Sequence, residues 1–483
     1  MTATPRRVGL AVTTLTAVLL AGACSSSSPT TAGSAVAAIS TSTSGSSATT
    51  SSTKSSSKSR PSGAMAAPTG KAPGGAPPNG GGSSTAVTGT GAYTLKAGSA
   101  SKSDTTITAG SKDESGVLVT KSGKLTLTDV KVDTSGATSS SDNSSFYGLD
   151  AGVLASGGSS ITETGGSVST TGNGANGVFA YGTGSSVTIK DTKVSASGRY
   201  AHGIMASGGG TIAATDLTVT TSGANSAPVA TDRGGGTITV VGGTYRSSGA
   251  DSPALYSTGT ITATNATLTA TGAEAAVVEG SNSITVKNSA LTGSVKWGVM
   301  LFQSFSGDAT GSSGSFTESG GSLTAKSGPL FYVTNSTGRI TLSGVKLSAA
   351  SGVLLNASAG KWGTSGSNGG NAILVAKAQT LSGSVVVDEL STASLSLTDG
   401  STLTGTIDAS GTAKKVTLSL DSSSTWTVTG TSHVTVLKGL RISGSTVTNV
   451  KGGGHTVYYD KSANPSLGGK TYTLSGGGKL VAE

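Results

Sequence analysis

A unit of about 25 residues recurs through the middle of the chain, and this repeat restricts the fold more than any other feature of the sequence. Its copies are spaced by 25, 26, 25, 26, 22 and 22 residues, starting at Gly152, Gly177, Gly203, Pro228, Ala254, Ala276 and Gly298. The second and third copies read GVFAYGTGSSVTIKDTKVSASG and GIMASGGGTIAATDLTVTTSG. A repeat of this length is typical of solenoids, in which each unit packs against its two neighbours.

Each copy contains three short runs of strand-forming residues separated by Gly, Ser or Asn. In the second run apolar residues alternate with polar ones, as in Val187 and Ile189 or in Ile238 and Val240. Alternation with a period of two predicts a strand with one buried face. Each run is too short to pair within its own copy, so we expect it to pair with the equivalent run of the next copy. Stacked coils then bury one core along the axis of the solenoid.

This pattern resembles the right-handed parallel β-helix, the architecture of pectate lyases and of many bacterial adhesins and passenger domains. The resemblance implies an all-β solenoid with three short strands per coil of about 22–26 residues. Roughly sixteen coils at about 4.8 Å each make a rod roughly 75 Å long. Regular coils are expected over residues 91–352, and shorter, irregular coils with a cap over residues 353–483. A series of β-sandwiches would need hairpin turns and a repeat of about 100 residues, and the sequence shows neither.

The net charge of +9 would suit a nucleic-acid partner, but its distribution along the chain argues against one. Residues 1–103 carry eight basic and no acidic residues, whereas the rest of the chain carries 24 basic and 23 acidic residues. A nucleic-acid-binding domain concentrates Lys and Arg on a face of its folded part, so we predict no nucleic-acid partner.

The first 23 residues have the features of an export signal: Arg6 and Arg7 precede an apolar stretch that ends in small residues. Cys24, the only cysteine, follows immediately. The segment resembles the lipobox of bacterial lipoproteins, which implies that Cys24 is lipidated and becomes the mature N-terminus. Residues 24–90 are rich in Ser, Thr, Gly and Pro, a composition that predicts a disordered tether. We therefore expect a lipid-anchored protein on the extracellular face of the bacterial cytoplasmic membrane; the alternative is a secreted protein.

The first run of each coil is apolar on both alternating faces, which predicts an outward stripe beside the core. We expect Val178, Ile204, Leu255, Val277 and Val299 to point inward. The residues beside them would form the stripe: Phe179, Met205, Tyr256, Val278, Met300 and Tyr332, with Tyr181 as a further candidate. An exposed apolar, partly aromatic stripe suits sugar rings or a protein partner. The alternative is that an insertion, residues 133–149 or 303–315, folds over the stripe.

A second candidate ligand site combines Arg199, Tyr200, His202, Asp232 and Asp251 from adjacent coils. The alternative interpretation places His202 in a column of polar turn residues with Asp150, Asn176, Asn225, Asp251 and Glu274. No His and Cys residues have the spacing of a metal site, and we predict neither metal nor cofactor.

Glu163 and Glu318 occupy equivalent inward positions of their copies, in ITETGGS and FTESGGS. Six coils would separate them by roughly 29 Å at about 4.8 Å per coil. Paired glycosidase carboxylates lie about 5–9.5 Å apart, so the two glutamates cannot act together. We expect each to be turned outward by a bulge at the following Gly-Gly.

The function that these features favour is presentation of a β-helix rod for binding glycans, cell-wall polymers or surface proteins, without catalysis. Two alternatives remain open. One is a polysaccharide lyase or glycoside hydrolase. Such an enzyme needs a cluster of charged residues on adjacent coils, and the only weak candidate in the sequence comprises Arg199, His202, Asp232, Asp251 and Glu279. The other is a structural spacer that has no ligand.

Overall fold

The computed structural model describes residues 89–483. The predicted signal peptide, Cys24 and almost all of the predicted tether lie outside the described residues. Within them the chain is an all-β parallel solenoid of about sixteen turns, which confirms the fold class.

Three parallel sheets form the walls of the solenoid, and each coil contributes one strand to each wall. Sheet 1 contains Thr90–Lys96, Glu114–Thr120, Val153–Ser156, Val178–Tyr181, Ile204–Ser207, Val229–Thr231, Leu255–Ser257, Ala276–Glu279, Val299–Phe302, Phe331–Thr334, Val353–Ala357 and Ser384–Val387. Sheet 2 contains Ser99–Ser103, Lys124–Thr128, Ser160–Thr164, Ser186–Lys190, Gly210–Thr215, Gly236–Val241, Thr260–Thr264, Ser283–Lys287, Ser313–Ser319, Thr337–Ser343, Asn371–Lys377, Thr392–Thr398, Lys415–Leu420 and Val436–Lys438. Sheet 3 contains Thr106–Ala109, Lys131–Thr134, Ser167–Thr170, Lys193–Ala196, Thr218–Thr221, Thr244–Ser247, Thr267–Ala270, Ala290–Gly293, Ser322–Ala325 and Lys346–Ala349.

A fourth sheet forms the third wall of the C-terminal coils and closes that end. Its strands in spatial order are Thr380–Ser382, Thr402–Gly405, Thr425–Val428, Thr446–Lys451, Tyr472–Ser475, Lys479–Ala482, Thr456–Tyr459 and Ser432–Val434, with Ile442–Ser443 beside Thr446–Lys451. Two of its pairings are antiparallel, Ile442–Ser443 with Thr446–Lys451 and Tyr472–Ser475 with Lys479–Ala482. The described residues also include helix α1 (Ser141–Tyr147) and a 3₁₀ helix (Pro465–Leu467).

The predicted alternation places equivalent residues in register from coil to coil. In sheet 2, Val187 pairs with Ile212, Ile212 with Ile238 and Ile238 with Ile261. The inward-facing apolar residues of all the sheets form one hydrophobic cluster that extends from Ile107 to Leu480. The corner between sheets 2 and 3 requires a positive φ, which Asp, Asn and Gly adopt most readily. The residues at this corner include Asp129, Asp191, Asp216, Asn265 and Asn288.

Two predicted orientations in sheet 1 are wrong. Val277 pairs with Tyr256 and Met300 and therefore lies in the outward column, whereas Val278 pairs with Leu301 and lies in the core. The copy that begins at Ala276 enters its strand one residue earlier than the alignment of copies suggested. In a strand, a shift of one residue exchanges the two faces.

The expected outward turn of the two glutamates is also wrong. Glu163 pairs with Leu127 and Ile189, and Glu318 pairs with Val286 and Leu342, so both side chains lie in hydrophobic columns of sheet 2. Their exposed fractions are 1% and 0%, and none of their carboxyl oxygens has a hydrogen-bond partner. Burial raises the pKa of each to about 8, because a low-dielectric environment favours the neutral acid.

Candidate functional site

The N-terminal half of the aromatic stripe on sheet 1 is covered by an insertion. Phe179 and Met205 are fully buried and pack with Leu118, Leu154 and Ala230, while Tyr181 and Tyr256 lie at the edge of this cluster. Helix α1, within the insertion 133–149, covers them: its C-cap Gly148 lies so close to Phe179 that a side chain would not fit. The covered alternative is therefore the one that the structure shows here, and a ligand-binding role for these side chains stays a prediction.

The C-terminal half of the stripe is covered as well. Tyr332 is 7% exposed and stacks on Trp297 with ring centroids 4.4 Å apart. Phe302 packs against Trp362, from the loop at residues 358–370, at 4.7 Å. Val277 and Met300 complete this second cluster. The two clusters leave no open aromatic platform along the described part of sheet 1.

His202 is a structural turn residue. Its backbone N–H donates to Asn176 Oδ1 (2.8 Å) in the preceding coil, and its Nδ1 accepts from the Ala227 N–H (3.0 Å) in the next. Burial lowers the pKa of His202 to about 4, so the imidazole is neutral at physiological pH. The predicted turn column needs a correction: backbone pairing places Asn176 and Ala227 beside His202, whereas Asn225 and Asp251 align with Tyr200.

The five residues of the second candidate site are not brought together. Arg199 lies against Tyr200, with its guanidinium 5.0 Å from the ring centroid. Asp251 instead forms an ion pair with Lys296, whose Nζ also lies 3.6 Å from Glu274 Oε1. Asp232 lies beyond the opposite end of the sheet 1 strands, roughly 15 Å from the His202 column by strand geometry.

Asp232 belongs to a different group, the carboxylate cluster of Asp232, Glu279 and Asp308. Strand register places Asp232 and Glu279 in one outward column of sheet 1, two coils apart. Asp308 comes from the covering loop (residues 303–312), which joins Val299–Phe302 to Ser313–Ser319. Asp232 and Glu279 are 8% and 2% exposed. The Tyr256 hydroxyl donates to Glu279 Oε2 at 2.5 Å.

The pKa values of Asp232 and Glu279 are shifted upward. Burial raises the pKa of Asp232 well above its ordinary value, and the neighbouring Asp308 and Glu279 carboxylates raise it further. Burial also raises the pKa of Glu279, against the lowering effect of hydrogen bonds from Ser304 and Tyr256. A raised pKa lets a carboxyl group keep its proton to higher pH than usual, as a general acid requires.

Arg233 connects helix α1 to the covering loop. Its guanidinium pairs with Asp308 (2.8 Å) in the covering loop and lies 3.8 Å from the ring centroid of Phe146 in helix α1. The Ser207 hydroxyl further fixes helix α1 by donating to the Phe146 carbonyl at 2.6 Å. Arg233 therefore holds the side of the carboxylate cluster that faces helix α1.

A polar trough of about 380 Å³ runs beside the carboxylate cluster, at the corner between sheets 1 and 2. Only Gly, Ser, Thr and Asn line it, and they come from five successive coils, as Gly209, Gly235, Thr260, Ser281 and Ser313 illustrate. Each of the five coils contributes one rung, the group of lining residues at that level of the trough. At about 4.8 Å per coil, the first and last rungs lie roughly 19 Å apart.

The trough and the cluster adjoin one another through the chain itself, because Arg233 precedes Gly234 directly and Glu279 lies two residues before Ser281. The trough was not predicted from the sequence, because its small residues form no chemical motif. The glycines at Gly209, Gly234–Gly236 and Gly259 were the available signal.

Within residues 89–483, no three His, Cys, Asp or Glu side chains are grouped in a way that could hold a metal ion. Neither described helix has the length and apolar character that crossing a bilayer requires. Comparison of the sequence with protein-family models and with curated proteins finds no match.

Proposed function

We propose that the chain is an exported, surface-anchored protein whose solenoid binds an extended glycan of the cell wall along the polar trough. The trough is the observation that carries the proposal. Its walls present serine and threonine hydroxyls, an asparagine amide and glycine backbone, and these groups exchange hydrogen bonds readily with sugar hydroxyls. Its rungs repeat with the coils, so a polymer can make the same contacts several times along its length.

Binding through repeated rungs suits a polymer better than a small molecule. Each rung offers few contacts, but contacts on one linked chain reinforce each other without a new entropic cost for every unit. The trough is also preformed, because strands of sheets 1 and 2 pair in register through all five of its coils. A preformed site spends less free energy on ordering when its ligand binds.

A bulky cation placed in the trough tests the site of binding. We expect Thr260→Arg to weaken binding to isolated peptidoglycan sacculi about tenfold or more, because the long side chain occupies the floor between neighbouring rungs. Thr267→Arg is the matched control, since Thr267 is also exposed and lies on sheet 3 in the same coil. Co-sedimentation measures both variants. Equal loss in the two variants, or no binding by the wild type, contradicts the proposal.

Anchoring rests on the lipobox resemblance at Cys24. Cys24→Ser removes the lipidated thiol, so the protein should move from the detergent phase to the aqueous phase in a detergent partition and appear in the medium. Ser25→Ala is the control and should stay with the membrane. A protein that is released in both the wild type and Cys24→Ser is secreted rather than anchored.

A second candidate function is cleavage of the bound glycan, which the carboxylates at the edge of the trough favour. Two coils separate the backbones of Asp232 and Glu279 by about 9.6 Å, close to the upper end of the roughly 6.5–9.5 Å between the carboxyl groups of inverting glycosidases. New reducing ends, or absorbance from unsaturated products, would reveal activity. That activity should disappear in Asp232→Asn and Glu279→Gln and persist in the exposed control Asp216→Asn.

A further inference from the structure

The middle of the covering loop is attached to the solenoid through side chains. Ser304 and Ser306 donate hydrogen bonds to Glu279, the second at 3.1 Å, and Asp308 pairs with Arg233 at 2.8 Å. Every one of these attachments ends on an ionisable group of sheet 1 or of the turn that follows it. The protonation state of those groups therefore affects how firmly the middle of the loop is held.

The carboxylate cluster beneath the loop has more potential negative charge than positive charge to balance it. Asp232, Glu279 and Asp308 share one guanidinium, that of Arg233, and Arg233 is already paired with Asp308. The only hydrogen bond that the Asp232 carboxyl accepts in the described residues comes from the Arg233 backbone N–H, at 2.7 Å. Asp232 thus lacks a cation of its own, although it is almost fully buried.

We propose that residues 303–312 form a lid over the edge of the trough, which closes while Asp232 is protonated and opens when Asp232 ionises. The lid rests on the proposed function only for the identity of the ligand that it admits. Its opening is a property of the protein alone and can be tested without any ligand.

The direction of the effect follows from the groups that face Asp232. Asp308 faces it from the lid, Glu279 and Tyr256 from neighbouring strands, and Arg233 from its own turn. Loss of a proton from Asp232 places a new negative charge beside two carboxylates in a low-dielectric site, where repulsion is strong. Raising the lid gives these charges access to water, so alkaline pH favours the open form.

Phe305 lies at the middle of the lid and is 62% exposed, the largest exposure of any bulky apolar side chain in residues 89–483. Because it packs little surface against the solenoid, it adds little apolar stabilisation to the closed form. The polar contacts to Glu279 and Arg233 therefore hold the middle of the lid. Its ends are held by the Ser281 N–H, which donates to the Thr310 carbonyl (2.9 Å), and by the Asn335 side-chain amide, which donates to the Gln303 carbonyl (2.8 Å).

Hydrogen–deuterium exchange of the full chain, followed by mass spectrometry, tests the lid. Between about pH 5 and about pH 9, the range in which buried carboxyl groups titrate, exchange at residues 303–312 should rise about tenfold after correction for the intrinsic rate. The loop at residues 358–370, which covers the other end of sheet 1, should not change. A lid whose corrected exchange is independent of pH overturns the proposal.

Two variants distinguish the ion pair that holds the lid, between Asp308 and Arg233, from the group that titrates, Asp232. Asp308→Asn breaks the ion pair with Arg233 and should make residues 303–312 exchange faster at every pH. Asp232→Asn cannot ionise and should keep the lid closed at alkaline pH, whereas the control Asp216→Asn should behave as the wild type does. The proposal fails if Asp232→Asn opens with pH as the wild type does.

Binding to peptidoglycan sacculi, measured at both ends of the same pH range, separates the lid from the proposed function. If exchange shows opening and the sacculi do not bind at either pH, the lid stands and glycan binding fails. If the sacculi bind and exchange shows no opening, glycan binding stands and the lid fails.

Discussion

At the scale of single residues, the two buried glutamates are the chemical exceptions of the core. Glu163 and Glu318 stand in columns that are otherwise apolar, and their carboxyl oxygens lack partners. An orphaned polar group costs the folded state free energy, and a carboxyl group limits that cost by staying protonated. Their effect is therefore a dependence of stability on pH.

We expect the free energy of unfolding to fall as pH rises from about 4.5 to about 8. Burial raises the pKa of Glu163 from 4.5 to about 8 in the folded protein, so in this interval the folded protein binds more protons than the unfolded chain. Across this interval each glutamate lowers the free energy of unfolding by up to roughly 5 kcal/mol, and above about pH 8 the free energy of unfolding falls no further on their account.

Urea denaturation at several pH values measures the decline. Replacing both groups, in Glu163→Leu/Glu318→Leu, should reduce it, because leucine fits columns formed by Leu127, Ile189 and Leu342. Glu389→Leu alters an exposed glutamate and is the control. An unchanged decline in the double variant would show that the two carboxyl groups are not the cause.

At the scale of secondary-structure elements, the turns before the sheet 1 strands are held by charges from different coils. The side chain of Lys296 is 12% exposed and lies between Asp251 and Glu274. Although burial lowers its pKa, the two carboxylates raise it by more, so Lys296 stays charged. Glu274, with a side chain 5% exposed, depends on Lys296 as its counter-ion.

Lys296→Met should lower the free energy of unfolding by about 3–5 kcal/mol, because it leaves the Glu274 carboxylate buried without its cation. Adding Glu274→Leu should recover part of the loss, since the double variant no longer contains the unpaired charge. Lys326→Met, on the exposed surface, is the control. Urea denaturation of the four proteins measures the coupling, and a double variant less stable than Lys296→Met would contradict it.

The strands also show which parts of the fold could be predicted from the sequence. Alternation in the second run predicted the sheet 2 register correctly, because Val187, Ile238 and Ile284 stack in one column. It failed at Val277, where a copy shortened to 22 residues shifts the strand by one position and reverses its faces.

Only part of the candidate site could be predicted from the repeat pattern. Asp232 and Glu279 were recognised as charged residues on nearby coils. Asp308, however, is 75 positions from its partner Arg233 and lies in an insertion whose path no repeat predicts. The bulk of the insertions, rather than the pattern of the strands, decides which part of sheet 1 is covered.

At the scale of the whole molecule, one continuous core joins coils that contact only their neighbours. Stability in such a molecule is close to a sum over coils and the interfaces between them. Distant coils should therefore respond to substitution independently, while adjacent coils should not.

We expect Ile261→Ala and Trp426→Ala to have additive effects, within about 0.5 kcal/mol, because their strands are many coils apart. Each alone should cost about 2–5 kcal/mol, since both side chains are fully buried. Ile261→Ala with Ile284→Ala should deviate from additivity, because these residues are paired in register. Urea denaturation supplies the values, and strong coupling between the distant pair would contradict a nearest-neighbour solenoid.

The direction of the hydrogen bonds has a mechanical consequence. In all three walls the interstrand bonds run along the rod, from one coil to the next. A pulling force on the N-terminal coil therefore loads the few bonds of a single interface at a time. The rod should unwind under tension turn by turn at low force, in a sawtooth whose teeth each release about one repeat, rather than rupture in a single event.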